Sequence, residues 1–157
     1  MAIPTRHSSS KQIVGTSRTF FVTTKTSVGR ALFRVDRNAM LFIDVLRSYV
    51  TGNKFKVHDF VVMPDHVHLL ITVSGEMSIE KAVQLVKGGF SYRLKQECGC
   101  SGEVWQRGFS EVRVKDEDSF AKHHEYIAQN PVKRGLVSEP EEYPYCFTYL
   151  AAQKQQG

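Results

Sequence analysis

Two imidazoles stand on alternate residues in the run Met63-Pro64-Asp65-His66-Val67-His68-Leu69-Leu70-Ile71. Successive side chains of a β-strand point to opposite faces, so His66 and His68 share one face while Val67 and Leu69 share the other. Such a strand buries one side and presents two nitrogen donors on the second. Two imidazoles at this spacing can grip one divalent ion, and that ion must recruit a third ligand from elsewhere in the chain. Pro64 and Asp65 suit a turn that starts the strand, and Leu69 to Val73 reads as its central part.

A second group with chemical potential lies in Ala121-Lys122-His123-His124-Glu125-Tyr126-Ile127-Ala128-Gln129-Asn130-Pro131. On a helix Tyr126 and Asn130, four apart, share a face one turn from each other. A phenol and a carboxamide then point the same way. Tyrosine is a weak nucleophile at neutral pH, and a nearby metal that polarises a phosphate compensates by making phosphorus more electrophilic. The plainer alternative is a tyrosine packed into the core, with Asn130 capping the helix C-terminus.

The elements that must position these groups follow from periodicity and turn chemistry. Thr19-Phe20-Phe21-Val22-Thr23-Thr24 is rich in β-branched and aromatic residues and reads as a strand, followed by a loop near Gly29. Over 36–50, Met40, Ile43 and Leu46 recur at helical spacing, with Asp36 as N-cap and Gly52-Asn53 as the stop. Residues 54–63 alternate as a strand that pairs as a hairpin with 66–73. Ser78 opens a second helix running to about 97, with Ala82, Leu85, Val86, Phe90 and Leu94 on one face. Gly88-Gly89 in its middle costs roughly 1 kcal/mol per glycine, so either the helix breaks there or something packs closely against it. A strand pair is expected across 104–114 and a third helix over 117–129, closed by Asn130-Pro131. The order β-α-β-β-α-β-α predicts a ferredoxin-like or RRM-like α+β sandwich: a central antiparallel sheet with helices on one face, plus the later helix that carries the tyrosine.

With 157 residues, 41% of them hydrophobic and 24% charged, the chain has apolar mass for one core. A single domain over 18–150 is expected after a loosely ordered segment, 1–17, that includes Ser8-Ser9-Ser10. No stretch approaches the roughly 18 apolar residues of a membrane span, and the first residues are polar, so a cytoplasmic protein with no membrane partner is expected. Cys98, Cys100 and Cys146 are odd in number and lack paired Cys-x-x-Cys knuckles, which reads as reduced and incidental. The net charge of +5 and a pI near 9.2 allow a polyanionic partner. Basic residues are interleaved with Phe20, Phe33, Phe55, Tyr92, Trp105 and Phe109, a mixture that suits a groove tracking phosphates and stacking bases, or equally a solvated basic surface around an aromatic core.

Four ordered blocks carry a resemblance: Arg18-Thr19-Phe20-Phe21-Val22-Thr23, Val61 to Leu70, Val104-Trp105-Gln106-Arg107-Gly108-Phe109, and Tyr126-Ile127 through Asn130-Pro131-Val132 to Arg134-Gly135-Leu136-Val137. Together they span roughly residues 18–147, and the chain resembles the single-tyrosine HUH transposases of small insertion sequences, above all their REP-associated relatives. The resemblance implies that His66 and His68 bind a divalent ion, Mg²⁺ or Mn²⁺, with Asn130 as third ligand and Tyr126 as nucleophile. It implies a single-stranded DNA endonuclease and strand transferase that acts at hairpin-associated sites through a 5′-phosphotyrosine link, leaving a free 3′-OH. Gln129 and Glu125 offer oxygens near Asn130 but lie on other faces of an ideal helix. Arg107, Lys133 and Arg134 are the expected phosphate contacts, single-stranded or hairpin DNA the expected partner, and monomer or homodimer the expected state.

Two rivals come from other classes. One is a non-catalytic nucleic-acid-binding domain of related fold; Arg107-Gly108-Phe109 echoes the start of an RNA-recognition strand, but Glu111 and Arg113 stand where its further aromatics belong. The other is a metal phosphoesterase using metal-bound water, with His58 joining His66 and His68.

Overall fold

The structure is a computed structural model and describes residues 16–156. The expected flexible segment 1–17 therefore lies outside the described residues except for its last two, and strand β1, Ser17–Lys25, already begins at Ser17. Helix α1 spans Asp36–Thr51, strands β2 and β3 span Lys56–Met63 and His66–Ser74, helix α2 spans Ile79–Cys98, strand β4 spans Ser110–Val114, and helices α3 and α4 span Glu117–Lys133 and Phe147–Gln156. The four strands form one antiparallel sheet in the order β2-β3-β1-β4. The α+β sandwich is thus the one expected, with β3 and β1 central.

The pleat divides the sheet residues between two cores. Phe20 and Val22 of β1 with Val67, Leu69 and Ile71 of β3 face α1 and α2 and join Phe33, Phe42, Phe90 and Trp105 in the larger core. The opposite face holds Val61 and Met63 of β2, Leu70 of β3 and Val114 of β4, and α3 lies on it with Ile127 buried among them. Five of the aromatics read as a possible base-stacking set belong to the first core: Phe20, Phe33, Phe55 and Trp105 are buried and Phe109 packs against them, leaving Tyr92 exposed. Aromatic side chains bury about 150–250 Å² each, so covering the apolar sheet face claims them before any surface role.

Three local expectations are corrected. The segment before β4 forms no strand of its own; Trp105 makes an isolated bridge to Thr26 while its indole Nε1 donates to the Lys87 carbonyl (3.0 Å), so burial of the ring replaces a ladder. Asp36 is the first helical residue and not the N-cap, which is Val35; its carboxylate accepts from the Tyr145 hydroxyl (2.6 Å). Helix α3 runs through Pro131 to Lys133 and does not close at Asn130. Proline so near the C-terminus removes one i→i−4 bond, and the true stop comes at Gly135, whose φ of 75° is the left-handed conformation that ends a helix cheaply.

Helix α2 is continuous through Gly88-Gly89, and the close-packing alternative explains the second glycine. A Cβ on Gly89 would stand 2.8 Å from the Tyr49 hydroxyl and 3.2 Å from Val45 Cγ1 of α1, whereas a Cβ on Gly88 would meet nothing within 4 Å. Gly88→Ala is therefore expected to raise the thermal midpoint, alanine gaining about 1 kcal/mol over glycine in a helix. Gly89→Ala should lower it, because overpacking costs typically about 1–3 kcal/mol and offsets that gain. Calorimetric melting of the two variants beside wild type checks the contrast.

Candidate metal and nucleophile site

The register of the sheet assembles the first part of the site. Thr23, opposite His68, and Lys25, opposite His66, are β1 residues on the same face as both imidazoles. His66 and His68 are both buried, with ring centroids 4.8 Å apart and planes inclined by 75°. Each Nδ1 is taken: that of His68 bonds Thr23 Oγ1 at 2.9 Å, and that of His66 bonds Asp65 Oδ1 at 2.8 Å. With the proton on Nδ1, each ring keeps a lone pair on Nε2, the arrangement that orients an imidazole toward a metal. Burial, reinforced by His66, Arg134 and Lys25, pushes the His68 pKa down to about 3, so its imidazole is neutral across the physiological range. The bond to His66 holds the Asp65 carboxyl below the usual carboxylate range.

Helix α3 supplies the rest. Phe120 meets the His58 ring at one end, Ile127 packs with Val61 and Leu70, and the Tyr126 ring lies edge-on to His68 with centroids 5.3 Å apart. Phe21 touches both Tyr126 (5.8 Å) and His68 (5.2 Å), filling the space between helix and sheet. Tyr126 stays 43% exposed, so a substrate can reach its hydroxyl, and Lys133 Nζ stands 5.9 Å from the ring centroid. Asn130 follows one turn later and is buried. It is neither a cap nor a packing residue with satisfied polar atoms: its Oδ1 and the Nε2 of His68 are both buried without a hydrogen-bond partner among the described residues.

Two orphaned buried acceptors are costly, on the order of 1–3 kcal/mol each, unless a ligand satisfies them. Two imidazole nitrogens and one amide oxygen fit a divalent cation that takes its other ligands from phosphate and water. Residues His66, His68 and Asn130 would hold it. Thr23→Val removes the hydroxyl that orients His68 while keeping the shape; Mn²⁺ affinity measured by calorimetric titration should fall about 10- to 100-fold, and the melting temperature should fall as well, because His68 Nδ1 is left buried without a partner.

A cleft beside His66 is lined by Lys25, Thr26, Gly29, Asp65, Gln106 and Arg134. Of the three expected phosphate contacts, the structure brings Arg134 into this cleft and Lys133 against Tyr126, and leaves Arg107 as an exposed loop residue next to Gln106. Sequence reasoning missed Thr23 and Lys25. Their signal lay in the alternation of Phe21, Thr23 and Lys25 on one face of β1, which names the residues but not the strand they oppose. His58 bonds Thr72 Oγ1 (2.6 Å), four residues along β3 from His68 and so roughly 13 Å away, which removes the third histidine of the phosphoesterase rival. Among the described residues, no group of three or more His, Cys, Asp or Glu side chains could hold a metal ion. The three cysteines are free, as expected. No helix among those described is long and apolar enough to cross a membrane.

A four-stranded antiparallel sheet sets paired imidazoles against a helix-borne tyrosine, and comparison gives the family. Residues 23–130 match the family described as "Transposase IS200 like", and the chain belongs to it. It is 30% identical over 127 residues to a Haemophilus influenzae protein assigned as a REP-associated tyrosine transposase, an alignment covering 70% of this chain and 72% of that one. It is 28% identical over 92 residues to the Escherichia coli REP-associated tyrosine transposase, covering 58% of this chain and 53% of its relative. The ISDra2 transposase TnpA of Deinococcus radiodurans is 30% identical over 90 residues, covering 54% of this chain and 64% of its own length. A solved structure of a REP-associated tyrosine transposase bound to a REP hairpin has the same fold, with a TM-score of 0.69 at 23% identity over 88% of this chain and 81% of that one.

Proposed function

We propose that this transposase-family chain is a metal-dependent single-stranded DNA endonuclease and strand transferase that acts at hairpin-associated sites through a 5′-phosphotyrosine intermediate. The observation that carries the reading is the Nε2 of His68, buried without a partner and with its ring against the exposed Tyr126, together with the likewise unpartnered Oδ1 of Asn130 one helical turn after the tyrosine.

The divalent ion, when bound, supplies positive charge that makes a phosphate more electrophilic. The side chains then have separable tasks. Arg134 and Lys25 draw the phosphodiester into the cleft next to His66. Tyr126 gives up its phenolic proton and its oxygen bonds to phosphorus as the bond from phosphorus to the 3′ oxygen breaks; that oxygen takes up a proton and leaves as a free 3′-OH. One phosphodiester is exchanged for another, so the link can be reversed by a DNA 3′-OH without a nucleotide cofactor. Phe21 and His68, stacked on each other on the sheet, both pack edge-on to the phenol ring, which limits its rotation and the entropy lost on reaching an in-line position.

The similarity to proteins called REP-associated tyrosine transposases, one of them solved with a REP hairpin, supports hairpin DNA as the substrate. Wild-type protein given a hairpin with a single-stranded flank and Mn²⁺ should cut the flank, and a chelator should stop it. At matched salt a blunt duplex of equal length should bind at least about tenfold more weakly. Cutting that persists in chelator, or equal affinity for both DNAs, would refute the reading.

A further inference from the structure

Asp59 carries a carboxyl that the proposed chemistry does not use, on the buried face of β2 where the strand's register shifts between Val57 and Asp59. Its side chain is only 3% exposed. One oxygen accepts from the Phe60 amide (2.8 Å), and the other accepts a short hydrogen bond from His124 Nδ1 on α3. Burial pushes the Asp59 carboxyl up, and the imidazole pulls it back. A carboxylate in such a place costs free energy unless its partner is well aligned, and losing the partner costs more than the pair contributes. The pair therefore calls for a reason other than stability.

The reason lies in what else joins α3 to the sheet. Around this bond the helix touches the sheet through apolar and ring contacts, Ile127 with Val61 and Leu70 and Phe21 with His123 and Tyr126. Such contacts are non-directional and tolerate sliding. A slip of one residue along an α-helix moves it about 1.5 Å and turns it about 100°, which would carry Tyr126 away from His68 altogether. The Asp59–His124 bond is directional and stands two residues before the tyrosine and six before Asn130. We propose that Asp59 and His124 form a positioning clasp that fixes the rotation and register of α3, aiming the Tyr126 hydroxyl and Asn130 Oδ1 at the His66–His68 site. The inference rests on the functional reading above for its effect on rate, and on geometry alone for its effect on the helix.

The decisive variant is the apolar double replacement Asp59→Leu/His124→Leu, which removes the bond without leaving a buried charge unpaired. Its melting temperature should stay near that of wild type, as for other apolar replacements of buried ion pairs. Its single-turnover cleavage rate should fall at least about tenfold while hairpin affinity changes less than about threefold. Nuclear Overhauser contacts between the Tyr126 and His68 rings, present in wild type, should weaken or vanish. Should the double variant fail to fold, His124→Asn and His124→Ala decide at the half-exposed helix position: asparagine places an N–H donor where Nδ1 stands and should keep the rate within about threefold of wild type, while alanine loses at least about tenfold. Wild-type rates and intact ring contacts in the double variant, or equal rates in the two single ones, overturn the clasp. A wild type that forms no adduct yet loses its ring contacts in the double variant keeps the clasp and sinks the functional reading instead.

Discussion

Replacing His68 by alanine should abolish cleavage of single-stranded DNA and lower Mn²⁺ affinity by at least about 100-fold, and His66→Ala should do the same. Both imidazoles have Nδ1 engaged, by Thr23 and Asp65, and the free nitrogen of His68 is buried with nothing to bond. Losing either removes a proposed metal donor that His58, bonded to Thr72 farther along the sheet, does not replace. The variants should melt lower than wild type yet stay folded, since His68→Ala gives up one hydrogen bond, to Thr23, and the ring packing on Phe21, and leaves both apolar cores intact. Calorimetric titration with Mn²⁺ and a cleavage assay, with circular dichroism as the control for folding, check this. Undiminished cutting in both variants would remove the metal from the account.

A second large effect is expected from a single oxygen atom. Tyr126→Phe keeps the ring against His68 and Phe21, so stability should stay within about 0.5 kcal/mol and hairpin affinity within about twofold. The cleavage rate should fall by at least about 10³-fold, because the atom proposed to bond to phosphorus is gone and the other groups would act only through it. A change confined to affinity would instead make Tyr126 a base-contacting residue.

The parts of this arrangement that sequence makes legible are those written in local periodicity. A two-residue alternation is enough to put His66 and His68 on one face, and a four-residue spacing is enough to put Tyr126 above Asn130. What joins segments far apart is not written locally. Thr23 meets His68 because β1 pairs antiparallel with β3 in one particular register, and a shift by one residue would have sent the hydroxyl to the other core. Asp59 and His124 are 65 residues apart, and each looks like an ordinary surface residue in its own segment. The aromatics misled for a related reason: interleaving with basic residues describes a binding groove and a buried core equally well until the sheet faces are known. Pro131 misled because proline stops most helices, yet in the last turn it costs little and the chain continues to Gly135.

The central claim is that the Tyr126 oxygen becomes bonded to the 5′ phosphate of cut DNA. Protein incubated with 3′-labelled, hairpin-bearing single-stranded DNA and Mn²⁺, then resolved by denaturing electrophoresis, should give a protease-sensitive shifted band whose tryptic peptide carries nucleotide on Tyr126 in its mass spectrum. The same band at equal intensity in Tyr126→Phe, with the nucleotide on another residue such as the exposed Tyr92, or cutting with no adduct at any time, would contradict it.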